Sequence, residues 1–262
     1  MKALELFAGI GGIALAEQMA GIEVVGLSEI EDYPVKVLQK NFPNVPILRD
    51  VRKINKESLR EVGIDAETID IISGGFPCQP FSVAGKRQGT SDDRDLWPEM
   101  FRIIQETRPN WVVGENVANF ANMELDRTLS NLESEGYETR TFVLPACGVD
   151  AKHKRVRTFI VANANSHRRV ASRKTKCKKF EKKQRKWQFG SASCTPARWS
   201  TEPRVGRVAN GVPNRMDRLK CLGNAVVPEQ ILPIFQAIVA IEGESKNQLE
   251  RDEKNESNIL FV

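Results

Sequence analysis

Two histidines and five cysteines are all that this 262-residue chain offers as soft metal ligands. The cysteines (Cys78, Cys147, Cys177, Cys194 and Cys221) are odd in number and never spaced C-x-x-C. That argues against a disulfide framework and a structural zinc site, and predicts no bound metal. It also fits a reducing, cytoplasmic compartment. Long apolar runs are missing: no eighteen consecutive apolar residues occur, so no membrane-spanning helix and no membrane partner are expected. The opening Met1-Lys2-Ala3-Leu4-Glu5-Leu6 turns polar too soon for a secretory signal. No internal repeat is visible, which sets solenoids and propellers aside.

Apolar residues nevertheless make up 40% of the chain, enough for one large α/β domain with a small appendage. The net charge of +5 hides a segregation. Residues 151–220 hold 21 lysines and arginines against Glu181, Glu202 and Asp217, a local +18, which leaves −13 for the remainder. A basic surface attached to an acidic domain is a footprint for a polyanion; composition alone equally allows a solvated basic run.

Strand and helix patterns alternate over the first 160 residues. Ala3–Phe7 reads as a strand, Ile13–Met19 as a helix and Glu23–Leu27 as a second strand. Between the first two lies Ala8-Gly9-Ile10-Gly11-Gly12, and Glu29 follows the second. A glycine-rich turn with an acid some 20 positions on serves any adenosine-containing cofactor: glycines admit the ligand to the backbone, and the acid accepts from ribose hydroxyls. No phosphate-reading lysine is present, so a nucleoside such as S-adenosylmethionine suits the turn at least as well as a dinucleotide. Asp50, after the strand Val45–Leu48, is placed either to contact an adenine amino group or to cap the next turn.

Ile69–Ser73 is a fourth strand, and it runs into Gly74-Gly75-Phe76-Pro77-Cys78-Gln79-Pro80-Phe81-Ser82. Prolines on both sides pre-shape this loop around Cys78, at the strand end where α/β folds place their chemistry. A lone cysteine is more often a small buried hydrophobe than a nucleophile; here the flanking sequence favours the nucleophile. Trp111–Gly114 is a fifth strand with Glu115-Asn116-Val117 at its end, so neighbouring parallel strands deliver Cys78 and Glu115 to one rim. Ala84–Asp95 has the composition of a lid. Thr158–Ala162 forms another strand, preceded by His153-Lys154-Arg155-Val156-Arg157, whose two arginines share a side if the strand already runs through them. Arg168–Lys186 carries eleven basic residues and one acid and no periodic pattern. A final amphipathic helix spans Glu229–Ile241, followed by a polar tail at 242–262 expected to fray.

These segments, in this order, resemble the DNA cytosine-5 methyltransferases. The likeness covers most of residues 3–162 and 204–241 and is carried chiefly by the Pro-Cys loop and Glu115-Asn116-Val117. It implies an α/β, Rossmann-like S-adenosylmethionine-dependent methyltransferase fold with a small, basic target-recognition region. The domains implied are a catalytic and cofactor-binding part at 1–162, a short recognition region at 163–205, and a returning segment at 206–241. By the same resemblance Cys78, Glu115, Arg155 and Arg157 are catalytic. Phe7, Ala8, Gly9, Gly11, Glu29, Ile30, Asp50, Val51, Pro77, Leu96, Asn224 and Ala225 bind S-adenosyl-L-methionine. Phe76, Gln79, Ser82, Asn116 and Val117 bind the substrate. Double-stranded DNA is the implied partner, with a cognate restriction endonuclease acting independently, and a monomer suits an enzyme that works on one flipped base. Lys152 stands where the family pattern has proline, and Ile30 where an aromatic residue is common. The recognition region is only about forty residues and poor in apolar groups, so salt-sensitive DNA binding with relaxed sequence recognition is expected. An RNA (tRNA) cytosine-5 methyltransferase and a non-catalytic DNA-binding remnant are the competing readings. A nicotinamide dehydrogenase leaves the Pro-Cys-Gln and Glu-Asn-Val segments unexplained.

Overall fold

The computed structural model describes residues 1–77, 95–118, 120, 124–164 and 213–259. Strand β1 (Lys2–Leu6) leads into α1 (Gly12–Met19), and β2 (Glu23–Ser28) into α2 (Asp32–Asn41). The short β3 (Ile47–Leu48), α3 (Lys56–Glu61) and β4 (Ile71–Gly74) follow. Next come α4 (Trp97–Thr107), β5 (Trp111–Val117), α5 (Leu125–Ser134), β6 (Glu138–Pro145) and β7 (Val156–Asn163). Helices α6 (Arg215–Asn224) and α7 (Pro228–Ile259) complete the described chain.

The strands form one seven-stranded sheet, ordered β3-β2-β1-β4-β5-β7-β6. Neighbours from β3 to β5 pair in parallel, while β7 runs antiparallel to both β5 and β6. The parallel part is an open, doubly wound α/β sheet, as expected of a Rossmann-like methyltransferase. The order turns outward in both directions from β1 and β4, and ligands of such sheets bind beyond the strands' carboxyl ends near that switch.

Alternation along the strands divides the core. Leu4, Leu6, Ile72, Val112 and Ile160 face one layer, packed with Met100, Ile103 and Ile104 of α4 and Leu132 of α5. Ala3, Ile71, Val113, Phe159 and Val161 face the other, against Ile13 and Ala16 of α1 and Ile231, Ile234, Phe235 and Ile238 of α7. The α7 residues recur at helical spacing, giving it one apolar stripe. Trp111 donates its indole N–H to Glu242 Oε1 at 2.9 Å, tying the helix to the sheet.

Three elements differ from the sequence expectation. α3 is too short to show apolar periodicity; it is set instead by a capping box in which Asn55 accepts from the Ser58 N–H while the Ser58 hydroxyl accepts from the Asn55 N–H. α6 falls within the returning segment, ahead of the helix expected at Glu229–Ile241, and went unanticipated because Cys221 is its one buried residue and leaves little amphipathic signal. α7 runs on to Ile259 through the expected polar tail, whose Glu, Lys and Gln residues are good helix formers. Arg215–Glu244 also contains an eighteen-residue window of mean hydropathy 1.4, long and apolar enough to cross a bilayer by length and composition alone. The apolar stripe of α7 within it is spent on the core.

Candidate active site

The ends of β1, β2, β4 and β5 surround a cavity of about 500 Å³, within the usual range for small-molecule sites. Its floor is the glycine turn. Phe7 takes a left-handed conformation there, φ +56°, a strain typical of functional loops. The turn is pinned by Ala8 N–H donating to Ser28 O and Gly11 N–H to Ala8 O, both at 2.8 Å. Gly9 faces open space, whereas a Cβ on Gly12 would lie 2.7 Å from the Val226 carbonyl oxygen. Gly11 does not line the cavity; its φ of +83° starts α1, and a Cβ there would strike the Phe42 ring at 2.5 Å.

Glu29, at the end of β2, is buried and braced by backbone: Oε2 accepts from Gly9 N–H at 2.7 Å and Oε1 from Glu31 N–H at 2.8 Å. Beside it Ile30, Tyr33, Asp50 and Val51 form the next wall. Asp50 also caps the following turn, its Oδ1 accepting from Arg52 N–H at 3.1 Å, the second of the two readings of that residue. Arg102 of α4 fixes the turn from behind by donating to the carbonyls of Ile54 at 2.8 Å and Val51 at 3.2 Å. Asn224, Ala225 and Val226 close the far side, joined by Asp217, Lys220 and Cys221 of α6. Lys220 Nζ pairs with Glu31 Oε2 at 2.9 Å, linking α6 to the start of α2.

The opposite end of the cavity is the acid site. β4 pairs with β5 in register Gly74↔Gly114, setting Gly75 level with Glu115. A Cβ on Gly75 would lie 2.9 Å from Glu115 Oε2, so glycine is required for the carboxyl to sit there. Glu115 is 7% exposed and pairs with Arg157 Nε at 2.8 Å. Burial pushes its carboxyl up to about 7, against the opposing pull of Arg157 and then Arg155. Asn116, also buried, donates from Nδ2 to Phe76 O at 3.0 Å, and so holds the root of the loop two residues before Cys78. The Phe76 ring packs 5.0 Å from Trp97 and 5.4 Å from Phe120 in the core, leaving its backbone to face the cavity. Pro77, Leu96 and Val117 complete this end.

Arg155 departs from the expected geometry. β7 begins one residue later, and Arg155 has φ +28°, so the two-residue alternation fails and the two guanidiniums take different partners. Arg157 meets Glu115; Arg155 turns to the α6–α7 connector, its Nη2 donating to Gly223 O at 2.9 Å and to Ala225 O. Cys78, Gln79 and Ser82, all of the expected lid Ala84–Asp95 except Asp95, and residues 165–212 lie outside the described residues. Tyr33, Asp217, Lys220 and Cys221 join the cavity without having been anticipated. Lys220 and Cys221 fall inside the returning segment at 206–241, but neither shows a spacing that marks it.

Two further carboxyls lie beneath the turn. Glu5 Oε2 accepts from Ala14 N–H at 2.9 Å, and burial, then Glu17, raises its carboxyl well above the ordinary range. Glu17 is fully buried, and desolvation pushes it up to about 7.

An open α/β sheet with a glycine turn, a braced acid after β2 and a second acid paired to arginine across one cavity is the architecture of nucleoside-cofactor-binding proteins. Residues 1–209 match the family model described as C-5 cytosine-specific DNA methylase. Type II methyltransferase M.Eco47II of Escherichia coli is 39% identical over 171 residues, 62% of this chain and 39% of its own length. M.HhaI of Haemophilus parahaemolyticus is 32% identical over 170 residues, 63% of this chain and 50% of its own. Among solved structures, a Spodoptera frugiperda DNMT2 variant superposes with a TM-score of 0.53 at 26% identity, covering 63% of this chain and 50% of that one. The chain therefore belongs to the C-5 cytosine-specific DNA methylase family. It spans about half the length of these curated relatives, or less.

The methyl donor of that family is S-adenosyl-L-methionine, and the residues present fit it. The braced carboxylate of Glu29, the apolar Ile30 and Val51, and the open Gly9 line one cavity, a lining that suits a nucleoside with a ribose and an adenine base.

Proposed function

We propose that the chain transfers a methyl group from S-adenosyl-L-methionine to C5 of a cytosine in double-stranded DNA. The observation that carries this reading is the register of β4 on β5, which sets the root of the Cys78 loop beside a buried, arginine-paired Glu115 at the end of a donor-sized cavity.

The target carbon is out of reach in a duplex, so the cytosine swings out of the stack into the cavity. Cys78 adds as thiolate to C6, which breaks the aromatic ring and sends negative charge towards N3 and O2. Glu115, protonated, donates to N3, and Arg157 stabilises charge at O2. C5, now enamine-like, forms a bond to the methyl carbon. The donor supplies that methyl as a cation equivalent. A base takes the C5 proton, the electron pair returns to the ring as the Cys78 thiolate leaves, and the N3 proton goes back to Glu115; the products are 5-methylcytosine, S-adenosyl-L-homocysteine and one proton. Arg155 acts at one remove, by holding the Asn224–Ala225 wall.

Residues 1–162 and 206–241 make the catalytic domain in this reading, supported by α7 packing back on α1. Residues 163–205 supply DNA contact. The type II methyltransferases among the relatives support a modification role beside an independent cognate endonuclease, with one chain acting on one flipped base.

Transfer of labelled methyl to mixed-sequence duplex DNA and, at equal mass, to tRNA tests the proposal with Cys78→Ser beside the wild type. Label recovered as 5-methylcytosine in DNA, and lost with Cys78→Ser, is the expected result. Label on tRNA alone, or equal labelling by the variant, would overturn it.

A further inference from the structure

Gln230, in the first turn of α7, is a polar residue 1% exposed in an otherwise apolar stretch. Its Nε2 donates to two carbonyls far away in sequence: Leu144 O at 2.6 Å, at the end of β6, and Arg155 O at 3.0 Å. Its Oε1 has no hydrogen-bond partner among the described residues. Such an amide is not explained by its own solvation; what it does is fix two backbone oxygens.

One of those oxygens belongs to the strained residue of the site. A non-glycine φ of +28° persists only when the surroundings over-determine it. Around Arg155 they do: Ala146 N–H donates to the preceding carbonyl, Lys154 O, at 2.8 Å, Gln230 holds its own carbonyl, and its guanidinium is spent on Gly223 O and Ala225 O. The strain has a use, since an extended Arg155 would point with Arg157 and release the connector. That connector is held from the other side as well, because the Val226 carbonyl fills the space where Gly12 lacks a Cβ, 2.7 Å away. Ala225 and Val226 thus stand between the glycine turn and the strand that carries Arg157.

We infer that Gln230 is a positioning residue for methyl-donor binding: by holding Arg155 in its left-handed conformation it sets the Asn224–Val226 wall of the donor cavity, and through the same strand it ties that wall to the Glu115–Arg157 pair. The inference rests on reading the cavity as the donor site.

The test is calorimetric binding of S-adenosylhomocysteine to the full chain without DNA, at pH 7.5 and 6.0, with thermal unfolding alongside. Gln230→Met keeps the length and removes both donors; two lost hydrogen bonds are expected to weaken binding on the order of tenfold. Gln230→Glu places an acceptor against two carbonyls when ionised and regains a donor when protonated. Its affinity relative to wild type is therefore expected to be lower than that of Gln230→Met at pH 7.5 and to recover at pH 6.0. A residue that merely stabilised the fold would lower the melting temperature of both variants and leave their affinities at the wild-type value, which overturns the inference. Absence of binding by the wild type sinks the donor-site reading itself and is thereby told apart. Should the variants not fold, hydrogen exchange on the wild type decides. Added S-adenosylhomocysteine is expected to slow exchange in peptides spanning 144–157 and 221–230, and unchanged rates there refute the coupling.

Discussion

Replacing Glu115 by glutamine separates the proton on this side chain from its shape. Burial holds the carboxyl near 7 in spite of Arg157 at 2.8 Å, so about half of the molecules carry the proton at pH 7 and about one in ten at pH 8. If protonated Glu115 is the form that serves N3, wild-type kcat/KM for methyl transfer falls roughly tenfold per unit above about pH 7, while ionisation of the Cys78 thiol sets a separate acid limb. Glutamine still donates a hydrogen bond but cannot give up a proton. The variant is expected to lose about 10²- to 10⁴-fold in rate and to lose that alkaline limb. The same titration affects folding. A carboxyl whose folded value is raised from 4.5 to about 7 contributes stability that is fully present below 4.5 and is lost as pH rises through about 7. The span corresponds to about 3 kcal/mol. Glu5 and Glu17 slope in the same direction, so the quantity to measure is the difference between wild type and Glu115→Gln in denaturant unfolding at pH 5 and pH 8. The assay is initial-rate methyl transfer to duplex DNA from pH 5.5 to 9 at saturating donor. A wild-type profile without an alkaline limb, or a variant with wild-type rates, would refute the reasoning.

Asn116→Ala leaves the Phe76 carbonyl without its buried donor; unfolding free energy should fall by about 1–3 kcal/mol and kcat should drop with it, while donor affinity measured by calorimetry stays unchanged. Gly75→Ala sets a methyl group 2.9 Å from Glu115 Oε2, displacing the carboxyl, and kcat should fall by about tenfold or more. Gly243→Ala, where an added Cβ meets nothing within 4 Å, serves as its control and should leave the rate alone.

The rim that sets the root of the Cys78 loop, Gly75 to Pro77, beside Glu115 was legible because both strands carry unbroken apolar runs ending in unusual chemistry, and parallel neighbours must deliver their ends to one edge. Glu29 was legible from its distance to the glycine turn. Arg155 was not: its direction depends on a positive φ held in place by Gln230, a residue 75 positions away, and nothing local announces it. Asn116 lines the cavity as expected of a residue facing the substrate, but its grip on Phe76 O was not legible, because that reach is a consequence of strand register. Helix α6 was hidden for the opposite reason: it buries almost nothing, so its pattern is that of a loop. Tyr33 and Lys220 reach the cavity through the placement of α2 and α6, which single-chain periodicity does not determine.

The layer beneath the glycine turn joins residues near the beginning of the chain, Ala3, Ile13 and Ala16, to Ile231, Ile234, Phe235 and Ile238. During synthesis the first strands and α1 leave the ribosome long before their partners exist. Until residue 238 has emerged, one face of the central sheet is covered only in part, and the basic stretch after β7 is already exposed. Such an intermediate presents contiguous apolar surface, so a nascent chain halted ahead of α7 is a target for chaperones or proteases.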